Sequence, residues 1–464
     1  MNAHCPFRTN RPPSARIVPL FCLALGLFLP PIAAPQQKEI RPFSLKSARD
    51  FAVANSFEAK RSQIDVDTAR LKLKETVATG LPQVTSAISY SDNLKLPTSL
   101  IPNFFEGKLD EKIPVQFGTQ HNASANIQIQ QMVFNGSYFV GLQTTKIYQR
   151  VAEMGQERTR LTVRENVTGT YYLILVAEEN ERILKSSLES VEKTAGEVRE
   201  LNKEGFLADT DADLLQITVN QIRNALQTLG RQKVVAAKLL KFQMGLDLDE
   251  EILLTDTLAD VLAGAEANGS LKNEFSLESN IDYQLTQGQA RLADMALKNE
   301  KARYWPSISA FFTYQQNAFR SRFDFFRFSE RWFPFQILGL NISIPIFRSG
   351  AQSARVEQAG LAADQAHQAA LQAARGVQLE VEQTKARLLS ARDNYQTMKD
   401  NMRLTEKVYG ATLEKYREGV ASSMELSQAH DKFLQSESGY IQALSDFLTA
   451  LNKLDRLTTV YARS

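Results

Sequence analysis

Two long stretches without proline constrain the fold of this chain more than any other feature. They run from Gly136 to Gly205 and from Gly350 to Gly419, so that each pair of glycines is 69 positions apart. A continuous helix of that length would extend about 100 Å, because each residue adds about 1.5 Å. Helices of ordinary globular cores are several times shorter. The equal spacing therefore predicts two rod-like helices whose length is under physical constraint.

The periodicity of the second stretch supports this prediction. Apolar and small residues recur in alternating steps of four and three, with mostly charged or amide side chains between them, which is typical of the buried face of a coiled coil. The residues of this face are Val377, Val381, Thr384, Leu388, Ala391, Tyr395, Met398, Met402, Thr405, Tyr409, Thr412 and Tyr416.

Each rod is predicted to turn at its second glycine and to return as another helix. Glycine commonly ends a helix, whereas Asp, Ser and Thr commonly begin one. Thr210 and Asp211 follow the first turn, and Ser423 follows the second. The returning helices are predicted to end near Gly245 and Leu457.

Four shorter segments alternate between apolar and polar residues, which is typical of strands with one wet and one apolar face. They lie around 83–91, 122–131, 307–315 and 335–344. Each has the roughly 9–11 residues with which a tilted strand crosses a bilayer. Membrane strands must close into a barrel of at least about 8 strands, so four strands predict a barrel shared by several copies. A water-soluble sheet packed on the helices is the alternative.

Corresponding sequence motifs occur in both halves of the chain. Leu81-Pro82 and Trp305-Pro306 each precede the first strand of a pair, and a glycine follows the second strand in both halves. This correspondence predicts an internal two-fold repeat, in which each unit has a helix, a β-hairpin and a long helical hairpin. The predicted organisation is a first repeat at 35–246, a polar connecting segment at 247–273 and a second repeat at 274–464.

The N-terminus has the pattern of a secretory signal peptide at residues 1–34. Three arginines precede an apolar run from Ile17 to Leu29, and small residues follow it. An uncleaved anchor is the alternative. Both cysteines, Cys5 and Cys22, lie in this segment, so the exported chain would carry no disulfide.

Charge and motifs exclude several classes of function. The formal net charge is +2 and falls close to zero without the signal peptide, which argues against nucleic acid as a partner. Phenylalanines and arginines are interspersed over 319–335. Such a mixture could indicate binding of single-stranded nucleic acid, but between two membrane strands it predicts an outer loop or interfacial aromatic belt. Asp209, Asp211 and Asp213 imitate a calcium loop, but Leu214 and Asn220 stand where Gly and Glu are needed. We expect no metal site, no cofactor and no enzymatic activity.

Taken together, the repeated motifs resemble the TolC-like outer-membrane efflux protein family. The resemblance rests on the Leu-Pro and Trp-Pro pairs, on Phe134-Asn135-Gly136 with its Phe-Arg-Ser-Gly counterpart at 347–350, and on the Tyr-Arg-Glu-Gly sequence at 416–419. It implies an α+β membrane protein, in which a transmembrane β-barrel with four strands per protomer continues into a coiled-coil tunnel across the periplasm.

The same resemblance implies partners and a location. Family members are homotrimers in the outer membrane, in contact with its lipid, and they meet a periplasmic adaptor, or membrane fusion protein, and an inner-membrane transporter. The chain would then be the exit duct of a tripartite efflux pump or of a type I secretion system. Drugs, metal ions and secreted polypeptides remain open as cargo. A periplasmic coiled-coil adaptor or scaffold is the alternative function, although an adaptor should show one helical hairpin and not two.

The family also implies roles for the two turns. Adaptor contacts would involve Gly205, Phe206, Leu207, Ala208, Gly419, Val420, Ala421 and Ser422. Polar links that close the tip, and an acidic ring at its narrow end, would involve Thr210, Asp211, Tyr416, Glu425 and Gln428. Two positions depart from the family pattern: Gln428 replaces the second acid of the ring, and Ala421 replaces an arginine that often follows the second turn. For Asp211 and Glu425, helix-starting charges that interact with the helix dipole are the alternative.

Overall fold

A computed structural model describes residues 40–104, 107–267, 275–327 and 329–460. The predicted signal peptide lies outside the described residues. The elements of the first half are β1 (Arg41–Phe43), α1 (Leu45–Asn55), α2 (Phe57–Thr79), β2 (Gln83–Asp92), β3 (Thr98–Asn103), β4 (Lys108–Gln116), β5 (His121–Asn135), α3 (Gly136–Lys203) and α4 (Asp209–Met244).

The connecting segment and the second half follow the same alternation of strands and helices. Their elements are β6 (Ile252–Leu254), α5 (Leu258–Ala267), a 3-10 helix (Leu277–Ser279), α6 (Ile281–Ala302), β7 (Ser307–Arg320), β8 (Phe333–Ser343), α7 (Ala351–Arg417) and α8 (Ser423–Thr458). The part of the connecting segment at 268–273 lies outside the described residues.

The two long helices form as the sequence predicts. Helix α3 has 68 residues and α7 has 67, which corresponds to about 100 Å each. Asn135 begins α3, because its side chain accepts a hydrogen bond from the N–H of Tyr138 at 3.2 Å. Glycine at position 245 ends the returning helix α4 in a left-handed conformation, with φ of 75°.

Each long helix packs against two shorter helices placed one after the other. Helix α3 packs against α2 and α4, and α7 packs against α6 and α8. The shorter helices have 23 and 36 residues beside α3, and 22 and 36 beside α7. Two shorter helices therefore flank each long helix along its length.

The core of the helical part lies between α3, α4, α7 and α8. Apolar side chains from all four helices form one buried cluster, in which Val167, Ile222, Leu388 and Leu444 are at most 2% exposed. Burial of side chains of this size stabilises a fold by about 1.5–3 kcal/mol each. Because α3 and α8 also pack directly on each other, the two helical hairpins share a core.

The strands of both halves join in one antiparallel sheet with the order β2-β5-β7-β8. The pairing of β5 with β7 connects the halves, and a bulge between Met132 and Phe134 interrupts its register. Strands β5 and β7, with 15 and 14 residues, are longer than predicted because they pair with each other beyond the ends of their outer neighbours. Within the described residues, β2 and β8 each pair on one side only.

One face of this sheet is apolar across all four strands. Val84 pairs with Ile129, Ile129 with Phe312, and Phe312 with Leu338, so that one apolar row crosses the whole sheet. Val84 is 65% exposed and Leu338 is 78% exposed. On the opposite face, rows such as Ser89, Ser124 and Asn317 are polar in three of the four strands. The alternation predicted from the sequence is confirmed.

Two strand pairs were not foreseen from the sequence. The hairpin β3–β4 lies between β2 and β5, and β1 pairs with β6 in parallel, which ties the start of the described chain to the connecting segment. The fully buried Tyr171 holds this pair, because its hydroxyl donates to the carbonyl of Phe43 at 3.1 Å and accepts from the N–H of Asp256 at 3.3 Å.

Among the described residues, no helix combines the length and the apolar character that crossing a lipid bilayer would require.

Candidate functional site at the helix turns

The two turns that end the long helices have the same backbone geometry. Gly205 and Gly419 adopt left-handed φ angles of 84° and 74°. In the first turn, the N–H of Phe206 donates to the carbonyl of Leu201 at 2.9 Å. In the second, the N–H of Val420 donates to a carbonyl at the equivalent position, that of Lys415, at 2.8 Å. Both turns are thus Schellman motifs, in which the glycine avoids the steric cost of a left-handed residue.

Both turns present an apolar side chain to solvent at the same position. Phe206 is 74% exposed and Val420 is 73% exposed, and each directly follows its glycine. Leu207 is half-buried and packs on the helical core, as does the half-buried Tyr416. Ala208 and Ser422 are the residues that immediately precede α4 and α8. Exposed apolar groups of this kind commonly mark contact surfaces.

A hydrogen bond connects the starts of the two returning helices. The hydroxyl of Ser423, at the first position of α8, donates to the carboxylate of Asp211, at the third position of α4. The residue Ser423 is only 9% exposed, and hydrogen bonds to a charged acceptor are stronger than neutral ones. The contact therefore links one helical hairpin to the other.

Tyr416 lies near this link without being part of its hydrogen bonding. Its hydroxyl is buried and has no hydrogen-bond partner among the described residues. Burial, and secondarily the negative charge of Asp211, raise the pKa of the Tyr416 hydroxyl. The charge of Asp211 thus acts on the hydroxyl of Tyr416, whereas the hydrogen-bond partner of Asp211 is Ser423.

The side chain of Glu425 forms part of the N-terminal cap of α8. Its carboxylate accepts hydrogen bonds from the N–H and the hydroxyl of Ser422 at 2.8 and 3.1 Å, and the Ser422 hydroxyl accepts from the N–H of Glu425 at 3.2 Å. This reciprocal arrangement is a capping box. The hydrogen bonds from Ser422 lower the pKa of the Glu425 carboxyl.

The remaining polar positions of the predicted tip are free of such contacts. Thr210 and Gln428 are exposed, and neither makes a side-chain hydrogen bond within the part of the chain that the structure describes. Both are therefore available to solvent or to another chain.

Sequence reasoning missed an ion pair that ties the second turn to the first long helix. The Nε of Arg417, at the end of α7, lies 3.4 Å from a carboxylate oxygen of Glu197 on α3. Its Nη1 lies 3.1 Å from Glu414. Arg417 belongs to the Tyr-Arg-Glu-Gly sequence, so its position was visible, but its partner on another helix was not.

Further along α8, two titratable residues occupy the helical core. His430 and Glu437 are each 2% exposed and lie seven positions apart, on one face of the helix. The Nε2 of His430 is 3.1 Å from the Ser187 hydroxyl, and burial lowers the pKa of His430 to about 4. Neither carboxyl oxygen of Glu437 has a hydrogen-bond partner among the described residues, and burial raises its pKa to about 7.

The acidic residues of the tip do not assemble into a metal centre in this chain. Within the described ranges, no group of three or more His, Cys, Asp or Glu side chains is placed to hold a metal ion. The chemistry that the turns offer is non-covalent: exposed apolar contacts, a breakable link between two hairpins and several free polar groups.

Comparison with known proteins identifies the class of this fold. Residues 277–459 match the model of a family described as outer membrane efflux protein. No curated protein sequence matches the chain. This match supports the resemblance to the TolC-like outer-membrane efflux proteins over residues 277–459, in the second half of the chain. The description of the family also agrees with the predicted location in the outer membrane.

Solved structures show the same fold over nearly the whole chain. CusC, described in relation to transmembrane channel formation, superposes with a TM-score of 0.72 and 16% identity, covering 90% of this chain and 92% of CusC. VceC of Vibrio cholerae gives 0.68 and 13%, with coverage of 89% and 95%. The CmeC outer membrane channel of Campylobacter jejuni gives 0.69 and 16%, with coverage of 89% and 85%.

Proposed function

We propose that this chain is the protomer of an outer-membrane channel, the exit duct of a tripartite efflux pump or of a type I secretion system. The observation that carries the proposal is the exposed apolar row from Val84 on β2 to Leu338 on β8. An exposed apolar sheet face of this extent is costly in water and favourable in lipid.

The edges of the sheet require partners. In a bilayer, the outer N–H and C=O groups of β2 and β8 would face hydrocarbon, where each unpaired group costs several kcal/mol. The strand β8 of one copy can satisfy β2 of the next, so that copies close one barrel. From the resemblance to the family we propose three copies, which form a homotrimer.

The helices supply the remainder of the duct. Two helices of about 100 Å in each protomer continue from the sheet and end at the paired turns. An adaptor should present one hairpin, whereas this chain has two that share a core. We propose that the exposed Phe206 and Val420 contact the periplasmic adaptor, and that the Asp211–Ser423 link contributes to a closed tip. In this arrangement the inner-membrane transporter delivers cargo to the tip.

Ion conductance of the purified protein in planar bilayers tests the channel function. Discrete channels are expected from a barrel, whereas a water-soluble scaffold produces none. Absence of channels from a folded, detergent-purified oligomer would reject the proposal.

Disulfide trapping tests the shared barrel. The chain has no cysteine after residue 34, so single cysteines on β2 and β8 report on contact between copies. A cysteine at Ser89 combined with a series of cysteines along β8 should give covalent oligomers in membranes, since a disulfide needs Cα atoms about 4.4–6.8 Å apart. A cysteine at Thr313 on the central strand β7 serves as control and should remain monomeric.

A further inference from the structure

A cavity lies at the junction between the sheet and the helices of the second half. Its volume is about 170 Å³, and it is lined by residues that follow α6, residues that precede α7 and two residues of the first turn of α7. A single water needs only about 10–15 Å³ of such space. The lining includes Arg303, Tyr304, Ile346, Phe347 and Arg348.

Two arginines, Arg303 and Arg348, line this cavity. A guanidinium nitrogen of Arg303 lies 3.3 Å from the carboxylate of Glu300, so that its charge is balanced. The guanidinium of Arg348 donates to the neutral side-chain oxygen of Gln352, also at 3.3 Å, and it forms no ion pair among the described residues. One positive charge beside the cavity is therefore left without a counter-charge.

The start of α7 adds to this imbalance. No side chain caps its N-terminus, and its first turn contains no acidic residue. At the equivalent position of the first half, Asn135 caps α3. An uncapped N-terminus favours a negative charge, because its free N–H groups carry the positive end of the helix dipole. The N-terminus of α7 lies beside Arg348. Its partial positive charge adds to the charge of the arginine, so that both favour an anion in the cavity.

Three exposed side chains with apolar surface line the same cavity. Ile346 is 93% exposed, Phe347 is 84% exposed and Tyr304 is 49% exposed. They lie where the sheet ends and the helices begin, the level at which aromatic side chains of a membrane barrel meet the lipid headgroups. A ligand at this place would meet a cation and an apolar surface at the same time.

We propose that this cavity binds the phosphate group of a phospholipid, with the acyl chains lying along Ile346 and Phe347. A phosphodiester carries one negative charge, which matches the unbalanced charge of Arg348, and guanidinium groups bind phosphate oxygens with good geometry. The proposal rests on the proposed function, since it requires the sheet to lie in a membrane. The first half, with Asn135 as its cap and no arginine at the corresponding junction, has no equivalent site.

Native mass spectrometry of the full-length, detergent-purified protein tests this proposal. The probe is phosphatidylglycerol, added after delipidation to the wild type, to the R303Q/R348Q double variant and to R348Q alone. Arg375 provides the matched control, because it is exposed on α7, makes no ion pair with any residue that the structure describes and lies far along the helix from the cavity. We expect roughly tenfold lower lipid retention in the double variant, an intermediate loss in R348Q, and wild-type retention in R375Q.

Two results would overturn the assignment. Equal retention by the wild type and both cavity variants would show that the arginines do not hold the lipid. Displacement of the lipid by an equal concentration of inorganic phosphate would show that the site takes a free anion and not a phospholipid. If the double variant does not fold, R348Q decides the question, because its side chain makes a single hydrogen bond.

Conductance of the same wild-type preparation separates this inference from the proposed function. Channels without a difference in lipid retention would reject only the phosphate site. A folded wild type that forms no channels would reject the duct itself, whatever its lipid retention.

Discussion

The hydroxyl of Ser423 donates a hydrogen bond to the carboxylate of Asp211, and this contact joins the N-terminal ends of α8 and α4. Each of these helices begins directly after a Schellman turn, so the link fixes the two tips of a protomer relative to each other. A tip that opens by separating its hairpins would have to break this bond.

Replacing Asp211 by Ala should raise the basal conductance of the channel. The substitution leaves the buried Ser423 hydroxyl without its acceptor and weakens the link between the hairpins, by about 1.5–3 kcal/mol for a hydrogen bond to a charged group. Conductance in planar bilayers measures the effect. S423A should raise conductance in the same direction.

Asp213 provides the control for this prediction. It is an exposed acid on the same helix and makes no side-chain hydrogen bond within the described residues. D213A should conduct like the wild type. Equal basal conductance of D211A, S423A and the wild type would show that the hydrogen bond between Ser423 and Asp211 does not help to keep the tip closed.

Tyr416 should act through packing and not through its hydroxyl. Because that hydroxyl has no hydrogen-bond partner among the described residues, Y416F should keep the wild-type conductance. Y416A removes the ring that packs on the core near Asp211 and should raise it. Single-channel recordings of both variants decide between these roles. A raised basal conductance of Y416F would show that the hydroxyl itself helps to keep the tip closed.

Glu437 should make the protein less stable as the pH rises. Its folded-state pKa of about 7 exceeds the ordinary glutamate pKa of 4.5, so between these two pH values the folded state holds a proton that the unfolded state has lost. The associated stability is fully present below the unfolded pKa and is lost as the pH rises from about 4.5 to 7. The loss is on the order of 3 kcal/mol, since one pKa unit corresponds to about 1.4 kcal/mol.

Thermal unfolding of E437Q in detergent between pH 4.5 and 8 measures this contribution. The variant should unfold at a higher temperature than the wild type at pH 8 and should lose the decline over this range. E425Q is the contrasting control, because the pKa of Glu425 is lowered and its stabilising effect is lost as the pH falls. A wild type with the same pH dependence as E437Q would contradict the buried, protonated state of Glu437.

The turn glycines should tolerate alanine poorly. Gly205 and Gly419 have open space around them but left-handed φ angles, which cost an L-residue about 1–2 kcal/mol. G205A and G419A should therefore lower the unfolding temperature. Gly230 is the control, because it is exposed within α4 with no atom near a new Cβ, and G230A should stabilise by about 1 kcal/mol. Lower stability of G230A than of G205A would contradict the assigned backbone conformations.

The sequence predicted those parts of the fold that depend on local patterns. The long helices follow from the spacing of Gly136, Gly205, Gly350 and Gly419, and the strands of the sheet follow from a period of two. The pairs β1–β6 and β3–β4 were missed. Strands of three residues carry no readable period, and β3 and β4 are interrupted by prolines.

At the site, the sequence indicated positions but not partners. It drew attention to Asp211 and Tyr416 through a resemblance, but their relation to Ser423 depends on how two helices from different halves approach each other. Glu437 was missed for a similar reason. A glutamate in a helix is normally expected in solvent, and only the packing of α8 against its neighbours shows that this one is buried.

The two faces of β8 should respond oppositely to a charge. Leu338 lies in the apolar row and Asn341 on the other face of the same strand. An arginine facing the lipid at the bilayer midplane costs about 2–4 kcal/mol, whereas one that faces an aqueous lumen keeps its hydration. L338R should therefore reduce the amount of oligomer in the outer membrane, and N341R should assemble and change ion selectivity. Quantitative blotting of membrane fractions, followed by reversal potentials in a salt gradient, measures both effects. Equal assembly of the two variants would show that the exposed apolar row does not face lipid, because water on both faces of the sheet would hydrate either arginine.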